Sequence, residues 1–302
     1  MTIRLATAPC SWGVEDAANS SNPPWETVLK EASFSGFSGL ELGPLGFFPQ
    51  NADLIADVFT AHKLLLVAGT LYDDILHQKN FSSIKSKTHE ICNLISAVNA
   101  NGRGEQKYLV IIDSVKEERD HTAGQSTKAP RLNSDDWKIM MTHVKEVSRI
   151  ASEGYGIRPV IHPHAGGYLE FDDETERFLN DIADETTGLC LDTGHLYYSG
   201  VAPDRSIIKY SNRLNYLHFK DINLNLLQKT RSVQQGFFDS CLEGVMCPVG
   251  TGCIDYKSVK RALEQINYIG WITIEQERDP LKFEGALADL KLSNRFLSKI
   301  GF

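Results

Sequence analysis

The sequence predicts an α/β protein that folds as a single (β/α)8 TIM barrel. Short apolar runs typical of buried strands alternate with helix-length amphipathic segments along the chain. At a length of 302 residues, a closed barrel is the favoured arrangement of such a series. Four of the apolar runs also end on a His, Asp or Glu, as strands do when their carboxyl ends meet at one site.

Eight strands and eight helices follow from this pattern, because buried parallel strands are continuous apolar runs. The predicted strands cover residues 4–9, 38–42, 64–68, 108–112, 159–162, 188–192, 214–218 and 271–275. The predicted helices cover about residues 25–33, 53–62, 84–100, 134–153, 173–183, 204–211, 256–266 and 281–300. No internal repeat or linker interrupts the series, so we expect one domain over residues 1–302.

The connections between these elements differ in length. The links from helix to strand are short, whereas several links from strand to helix are long, namely residues 70–83, 113–132 and 221–255. Long loops that lack secondary structure of their own are usually functional. All three would lie on the face formed by the carboxyl ends of the strands, which is therefore the predicted functional face.

Composition excludes several classes of function. The formal net charge of −8 argues against a nucleic-acid partner. No apolar run approaches the roughly 18–20 residues of a membrane span, so we expect no membrane association. The six cysteines include no CxxC pair, which predicts a reduced, cytoplasmic protein. The sequence does not specify the oligomeric state and is compatible with a homo-oligomer.

A divalent metal site is the strongest functional prediction. Asp192, His218 and Glu275 each end a predicted strand, and a closed barrel would bring them together. Imidazole and carboxylate groups are the side chains that bind manganese, cobalt or zinc. The fourth ligand should come from the strand that ends at His162. Either His162 itself or Glu170, folding back from the following loop, could supply it.

Other residues near the same strand ends are candidates for catalysis or substrate binding. His164, His195 and Lys220 could transfer protons, and Lys220 could instead stabilise an oxyanion or pair with a site carboxylate. Glu41 ends the second strand, where it could bind a substrate hydroxyl or pair with Lys220. Trp12 follows the first strand and could pack on a sugar-like ring, with simple packing as the alternative.

Six stretches resemble the xylose isomerase-like TIM barrel superfamily, and within it the inosose dehydratases of inositol catabolism. They are residues 8–14 (APCSWGV), 39–47 (GLELGPLGF), 191–195 (LDTGH), 218–221 (HFKD), 249–252 (VGTG) and 271–275 (WITIE). The resemblance implies a metal bound by Asp192, His218, Glu275 and a residue of the fifth strand. That residue is usually Glu in the superfamily, whereas this chain has His162 there.

The resemblance implies a metal-dependent lyase that dehydrates a cyclic polyhydroxy ketone through a metal-stabilised enolate. His162, His164 or His195 would remove the proton, and Lys220 would protonate the departing hydroxyl. The alternative is a metal-dependent ketose epimerase or sugar isomerase on the same scaffold. An endonuclease is disfavoured because most of the remaining histidines lie away from the strand ends. A sugar-binding barrel without catalysis is a further alternative.

Overall fold

A computed structural model describes residues 3–98 and 106–302. The strands are β1 (Ile3–Thr7), β2 (Gly39–Leu40), β3 (Leu65–Leu66), β4 (Ala68–Asp73), β5 (Tyr108–Asp113), β6 (Arg158–Ile161), β7 (Gly188–Asp192), β8 (Leu214–Phe219), β9 (Asp221–Ile222), β10 (Met246–Cys247) and β11 (Gly270–Ile274). The α-helices are α1 (Trp25–Phe34), α2 (Ala52–Ala61), α3 (Phe81–Val98), α4 (Glu117–Asp120), α5 (Ser134–Tyr155), α6 (Asp172–Asp181), α7 (Thr193–Tyr198), α8 (Pro203–Lys209), α9 (Leu224–Ser232), α10 (Phe237–Leu242), α11 (Tyr256–Gln265) and α12 (Ala286–Lys299). Three short 3₁₀ helices cover Pro9–Trp12, Gln78–Asn80 and Pro280–Gly285.

Within residues 3–98 and 106–302, nine parallel strands form a closed barrel. Their order in the sheet is β3, β2, β1, β11, β8, β7, β6, β5 and β4. The two strands at the ends of this order, β3 and β4, are separated in the chain only by Val67. Val67 donates its N–H to Leu40 O at 3.2 Å and accepts the N–H of Tyr108 at 3.2 Å. The stretch from β3 to β4 therefore acts as one strand of the barrel, which pairs with β2 on one side and with β5 on the other. The predicted TIM barrel is confirmed.

The predicted elements match the observed ones with several differences. The last predicted helix begins as a 3₁₀ helix, Pro280–Gly285, before α12, and the predicted loop 113–132 contains the short helix α4. The third strand extends to Asp73 instead of ending at residue 68. The helix predicted to reach residue 100 is described as far as Val98, and residues 99–105 lie outside the described part of the chain. Residues 221–255 are not a structureless loop, because they contain the antiparallel pair β9–β10 and the helices α9 and α10.

Two buried clusters hold the barrel together. The larger one lies between the strands and the surrounding helices. The smaller one consists of side chains that follow the alternation of the strands and fill the barrel: Ala6, Val67, Ala68, Tyr108, Val110, Ile112, Val160, Cys190, Tyr216 and Trp271. This layer closes the interior below the functional face.

Local signals fix the ends of the longest helix. Asn133 Oδ1 accepts the N–H groups of Asp135 and Asp136, each at 2.9 Å, so it caps α5 as expected of such a residue. Gly156 ends the same helix with a φ of 65°, which glycine adopts without a steric cost. Among the residues that the structure describes, no helix combines the length and apolarity needed to cross a bilayer.

A single carboxylate anchors the segment that follows β8. Asp221 is fully buried and accepts the backbone N–H groups of Ile222, Gly250, Gly252 and Ile254 at 2.9–3.1 Å. These amides come from both ends of the segment. Asp221 therefore holds the two ends of this segment together.

Candidate metal centre and active site

The candidate ligands continue the inward-facing positions of the barrel. His162, Asp192 and His218 each lie two residues after a member of the interior cluster, namely Val160, Cys190 and Tyr216. Side chains two residues apart on a strand share a face, so these three point into the barrel directly above its packed layer. Asp192 and His218 are also direct partners in the pairing of β7 with β8.

Four ligating atoms from four strand ends converge at this point. His162 Nε2 lies 3.6 Å from Asp192 Oδ2, and His218 Nδ1 lies 3.8 Å from the same oxygen. Glu275 Oε2 lies 3.0 Å from His218 Nδ1. Two ligands of one such ion are roughly 3–3.5 Å apart, because each lies about 2.1 Å from the metal. The three separations are near this value. Among the described residues, the groups of ligand atoms within 4.8 Å of one another join His162 with Asp192 and His218 with Glu275, and no group contains all four residues.

The lack of hydrogen-bond partners at these imidazole nitrogens also fits a bound metal ion. Among the described residues, neither nitrogen of His162 has a hydrogen-bond partner, and Nδ1 of His218 has none either, although all three are buried. Buried nitrogen atoms without partners are uncommon, since leaving one unpaired costs about 1–3 kcal/mol. A divalent ion would satisfy one nitrogen on each ring. The residues present therefore fit an ion of the manganese, cobalt or zinc type.

Asp192 has two separate contacts. Its Oδ1 accepts the N–H of His195 at 2.9 Å and caps α7, while Oδ2 lies at the site. Burial alone would raise the pKa of this carboxyl, but the charges of Lys220 and the neighbouring histidines His195 and His162 together outweigh that effect and hold the pKa well below its usual range. Asp192 therefore stays ionised, as a ligand must.

Glu41 supports His218 from the opposite side of the imidazole ring. His218 Nε2 lies 3.0 Å from Glu41 Oε1, and the same oxygen accepts the hydroxyl of Tyr216 at 2.7 Å. A carboxylate on the far nitrogen of a ligating histidine fixes its tautomer and leaves the near nitrogen free for the metal. Of the two contacts predicted for Glu41, the structure shows no pairing with Lys220 among the described residues, and hydroxyl recognition stays a prediction.

Lys220 lies among three carboxylates. Its Nζ is 2.8 Å from Asp192 Oδ2, 2.6 Å from Glu275 Oε2 and 2.9 Å from Glu277 Oε1. Burial would lower the pKa of this lysine, but the three negative charges outweigh burial and raise the pKa well above its ordinary value. Lys220 is therefore a fixed positive charge beside the candidate ligands.

His164 and His195 lie next to each other beyond the ligands. Their ring centroids are 4.0 Å apart, and burial lowers the pKa of both imidazoles well below the usual value. Both rings also contact the backbone of Ala165. His164 lines the cavity over the ligands, and His195 lies behind that lining with its Nε2 3.6 Å from Oε1 of Glu277, which lines the cavity. Proton transfer by either residue stays a prediction.

Two predicted residues lie elsewhere. Glu170 belongs to none of the groups of ligating atoms found among the described residues. Its carboxylate instead accepts from Arg119, Gly124, Gly166 and Ser199 at 2.6–3.2 Å.

Trp12 does not lie at the rim. It is fully buried, it is absent from the residues that line the cavity, and its Nε1–H donates to Glu31 Oε2 at 2.7 Å. Simple packing, the alternative for this residue, is what the structure shows.

A cavity of about 420 Å³ opens over the ligands. Val14, Leu71, Ile112 and Phe238 supply apolar parts of its wall. Its lining includes no arginine among the described residues, and its two lysines are paired, Lys87 with Asp73 and Lys220 with the carboxylates described above. The cavity is therefore acidic and suits an uncharged polar ligand.

Three acidic residues of this cavity were not predicted, namely Glu15, Asp16 and Glu277. Glu277 is buried and contacts Lys220, and Glu15 is an exposed residue at the edge of the cavity. Glu277 lies two residues after Glu275, just as Lys220 lies two residues after His218. Side chains two residues apart on a strand share a face, so this spacing from a candidate ligand could have identified Glu277 in the sequence.

Comparison with known proteins identifies the family. The family model of the xylose isomerase-like TIM barrel matches residues 29–299. The chain belongs to this family. It is 26% identical over 286 residues to an inosose dehydratase of Clostridium beijerinckii, a match that covers 92% of this chain and 91% of that protein.

Solved structures share the fold. The zinc-binding IolI protein superposes with a TM-score of 0.73 and 16% identity, covering 98% of this chain and 97% of that one. A D-allulose 3-epimerase from Methylomonas sp. has a TM-score of 0.70 and 15% identity, covering 99% and 98%. The family predicted from the sequence is confirmed. So is the prediction of an enzyme, since the relatives that match in sequence include inosose dehydratases.

Proposed function

We propose that this protein is a metal-dependent lyase that removes water from a cyclic polyhydroxy ketone, as inosose dehydratases do. The observation that carries the proposal is the convergence of His162, Asp192, His218 and Glu275 beneath a cavity that also contains proton-carrying side chains. The match to an inosose dehydratase over 92% of the chain supports the choice of substrate class.

In this proposal the four ligands are His162, Asp192, His218 and Glu275. The alternative fourth ligand, Glu170, is less suitable because four donors already occupy its oxygens. Two imidazoles and two carboxylates are compatible with manganese, cobalt or zinc. When bound, such an ion acts as a Lewis acid that polarises the oxygen atoms of the substrate and makes the neighbouring C–H bond more acidic.

The proton transfers of the reaction are carried out by side chains of the cavity. A neutral histidine, His164 or His195, removes a proton from the carbon next to the ketone, and the electron pair of that C–H bond moves towards the carbonyl group. The hydroxyl on the following carbon then leaves with its bonding electrons and takes a proton from Lys220. Glu275 and Glu277 hold Lys220 in place for this transfer. The products are water and the enol of a dione.

The acidic cavity supports an uncharged substrate. Both of its lysines are engaged by carboxylates, so a phosphate or carboxylate group of a substrate would meet no free cation among the described side chains. A cyclitol ketone or a free ketose has hydroxyl groups instead, which can donate to the carboxylates and accept from the imidazoles.

An absorbance assay tests the proposal against the epimerase alternative. The purified protein, loaded separately with Mn²⁺, Co²⁺ and Zn²⁺, is mixed with an inosose and with D-allulose. Dehydration produces a conjugated chromophore, so the ultraviolet absorbance should rise with the inosose and with at least one metal. Treatment with a chelator should abolish the rise. Interconversion of ketoses with no change in absorbance would favour an epimerase and contradict the proposal.

A further inference from the structure

A second group of ligand-type side chains lies beside the candidate metal centre. His164, His195 and Glu277 each offer one nitrogen or oxygen within 4.8 Å of the others, and all three residues are more than nine-tenths buried. By composition alone this group would suit a second metal ion. Its hydrogen bonds favour a different role.

The backbone fixes the tautomer of His195. The N–H of Ala165 donates to His195 Nδ1 at 3.1 Å. A backbone amide can only donate, so Nδ1 carries the lone pair and a neutral ring has its hydrogen on Nε2. A nitrogen that carries hydrogen does not bind a metal. His195 Nε2 instead lies 3.6 Å from Glu277 Oε1 and has no hydrogen-bond partner among the described residues.

Ala165 also fixes the tautomer of His164, with the hydrogen on the other ring nitrogen. His164 Nδ1 lies 2.9 Å from the carbonyl oxygen of Ala165. A carbonyl can only accept, so Nδ1 carries the hydrogen and Nε2 carries the lone pair. Ala165 thus gives two adjacent histidines opposite tautomers, one with an accepting Nε2 and the other with a donating Nε2.

We propose that His164, His195 and Glu277 form a hydroxyl-binding and proton-accepting subsite and not a second metal site. A substrate hydroxyl accepts the Nε2–H of His195 and donates to Glu277, whose Oε2 has no hydrogen-bond partner among the described residues. The lone pair of His164 Nε2 accepts a proton. A hydroxyl can donate and accept at once, which a ketone or phosphate oxygen without hydrogen cannot do.

This assignment rests on the proposed function and narrows its proton transfer to one histidine. His164 Nε2 takes the proton from the carbon next to the ketone, while the C–H electron pair moves towards the carbonyl. His195 donates a hydrogen bond to the hydroxyl on the neighbouring carbon, which leaves with its electron pair and takes its proton from Lys220. His195 exchanges no proton in this step.

Nitrogen NMR of the Zn²⁺-loaded full-length protein tests the tautomers without any need for turnover. Zinc is diamagnetic, and protonated, unprotonated and metal-bound ring nitrogens have distinct ¹⁵N shifts. With ¹⁵N-labelled histidine, His164 should show a protonated Nδ1 and an unprotonated Nε2, and His195 the reverse. Spectra of His164→Gln and His195→Gln assign the signals. Identical tautomers, or zinc bound to either ring, would overturn the proposal.

Metal content and kinetics complete the test. We expect one zinc ion per chain both in the wild type and in Glu277→Gln. Two zinc ions per chain in the wild type and only one in Glu277→Gln would instead establish a second metal site. His195→Phe should lose turnover by about 10²-fold, because the donor to the hydroxyl is missing. His195→Gln retains an N–H and should lose less. His164→Gln should keep its zinc but no longer admit solvent deuterium at the substrate carbon.

The two hypotheses fail in different ways. If the tautomers are as expected and no inosose is turned over, the proposed function is wrong and the subsite geometry stands. If an inosose is dehydrated while His164→Gln still exchanges the carbon-bound hydrogen at the wild-type rate, the function stands and the assignment of the subsite is wrong.

Discussion

Glu41, which follows strand β2, meets His218 of strand β8, with His218 Nε2 3.0 Å from Glu41 Oε1. This contact leaves Nδ1 of His218 as the nitrogen that faces Asp192 and Glu275. The carboxylate that the sequence suggests as a substrate contact is therefore, in the structure, a partner of a candidate ligand.

Glu41→Gln should consequently weaken metal binding although Glu41 is not itself a ligand. Loss of such a supporting carboxylate typically lowers affinity by about 10–100-fold. Competition with a chelator measures the change. Tyr216→Phe, which removes a second donor to Glu41, serves as a milder comparison. An unchanged metal affinity with a raised KM would show that Glu41 binds substrate instead.

Removal of the ligands should abolish metal binding while the barrel still folds. Asp192→Ala, His218→Ala and Glu275→Ala all change the functional face, whereas the stability of barrels depends mainly on the opposite one. Asp192→Asn separates the two contacts of that residue, because the amide oxygen can still cap α7. Elemental analysis and circular dichroism follow the two properties. Wild-type metal content in two of the three alanine variants would contradict the assignment.

The fourth ligand can be identified by comparing His162→Ala with Glu170→Gln. We expect His162→Ala to lower metal affinity strongly. Glu170→Gln should leave it nearly unchanged and reduce the stability of the fold by about 1–3 kcal/mol, since the buried Arg119 loses a charged partner. Chelator competition and thermal unfolding distinguish the two effects. The reverse ranking of affinities would make Glu170 the ligand.

Lys220→Met should retain the metal and the fold but lose turnover. Removal of an acid or a charge stabiliser typically costs about 10²–10⁴-fold in rate. Exchange of the carbon-bound hydrogen with solvent separates the two candidate reactions. If the enzyme is a dehydratase, Lys220→Met could still exchange this hydrogen while releasing little water. If the enzyme is an epimerase, hydrogen exchange and product formation should fall together. Near wild-type turnover would remove Lys220 from the mechanism.

The close approach of Lys220 explains why glycine occupies position 194 in the LDTGH stretch. A Cβ at this position would lie 2.5 Å from the Cβ of Lys220, a distance that forces one of the two backbones to move. Gly194→Ala should therefore displace Lys220 and reduce turnover by at least about 10-fold. Gly154→Ala is the matched control, since its Cβ would meet nothing within 4 Å. Equal activity of both variants would show that the contact with Lys220 is not needed.

The sequence predicts the barrel and the positions of the ligands for the same reason. Parallel strands buried on both faces have an unmistakable apolar pattern, and the polar residue at the end of each one marks the site. This argument identifies Asp192, His218 and Glu275, and it could also have identified Glu277. It could not decide the location of Trp12, because an aromatic residue after a strand has the same local pattern whether it packs inside or lines a cavity.

Other features depend on contacts between distant segments and leave no local pattern. Glu41 meets His218 across 177 positions of the chain, and Glu170 meets Arg119 across 51. The tautomers of His164 and His195 depend on which way one peptide at Ala165 faces. Such information arises only when the barrel closes and its loops pack.

The carboxylate of Glu170 has a consequence for redesign of the substrate preference. Its donors come from the segment after β5, the turn after β6 and the end of α7. Grafting any one of these loops from a relative would leave a buried charge with fewer donors and weaken the two loops that remain. Chimeras should therefore exchange all three loops together, as one cassette, when new specificities are sought on this scaffold.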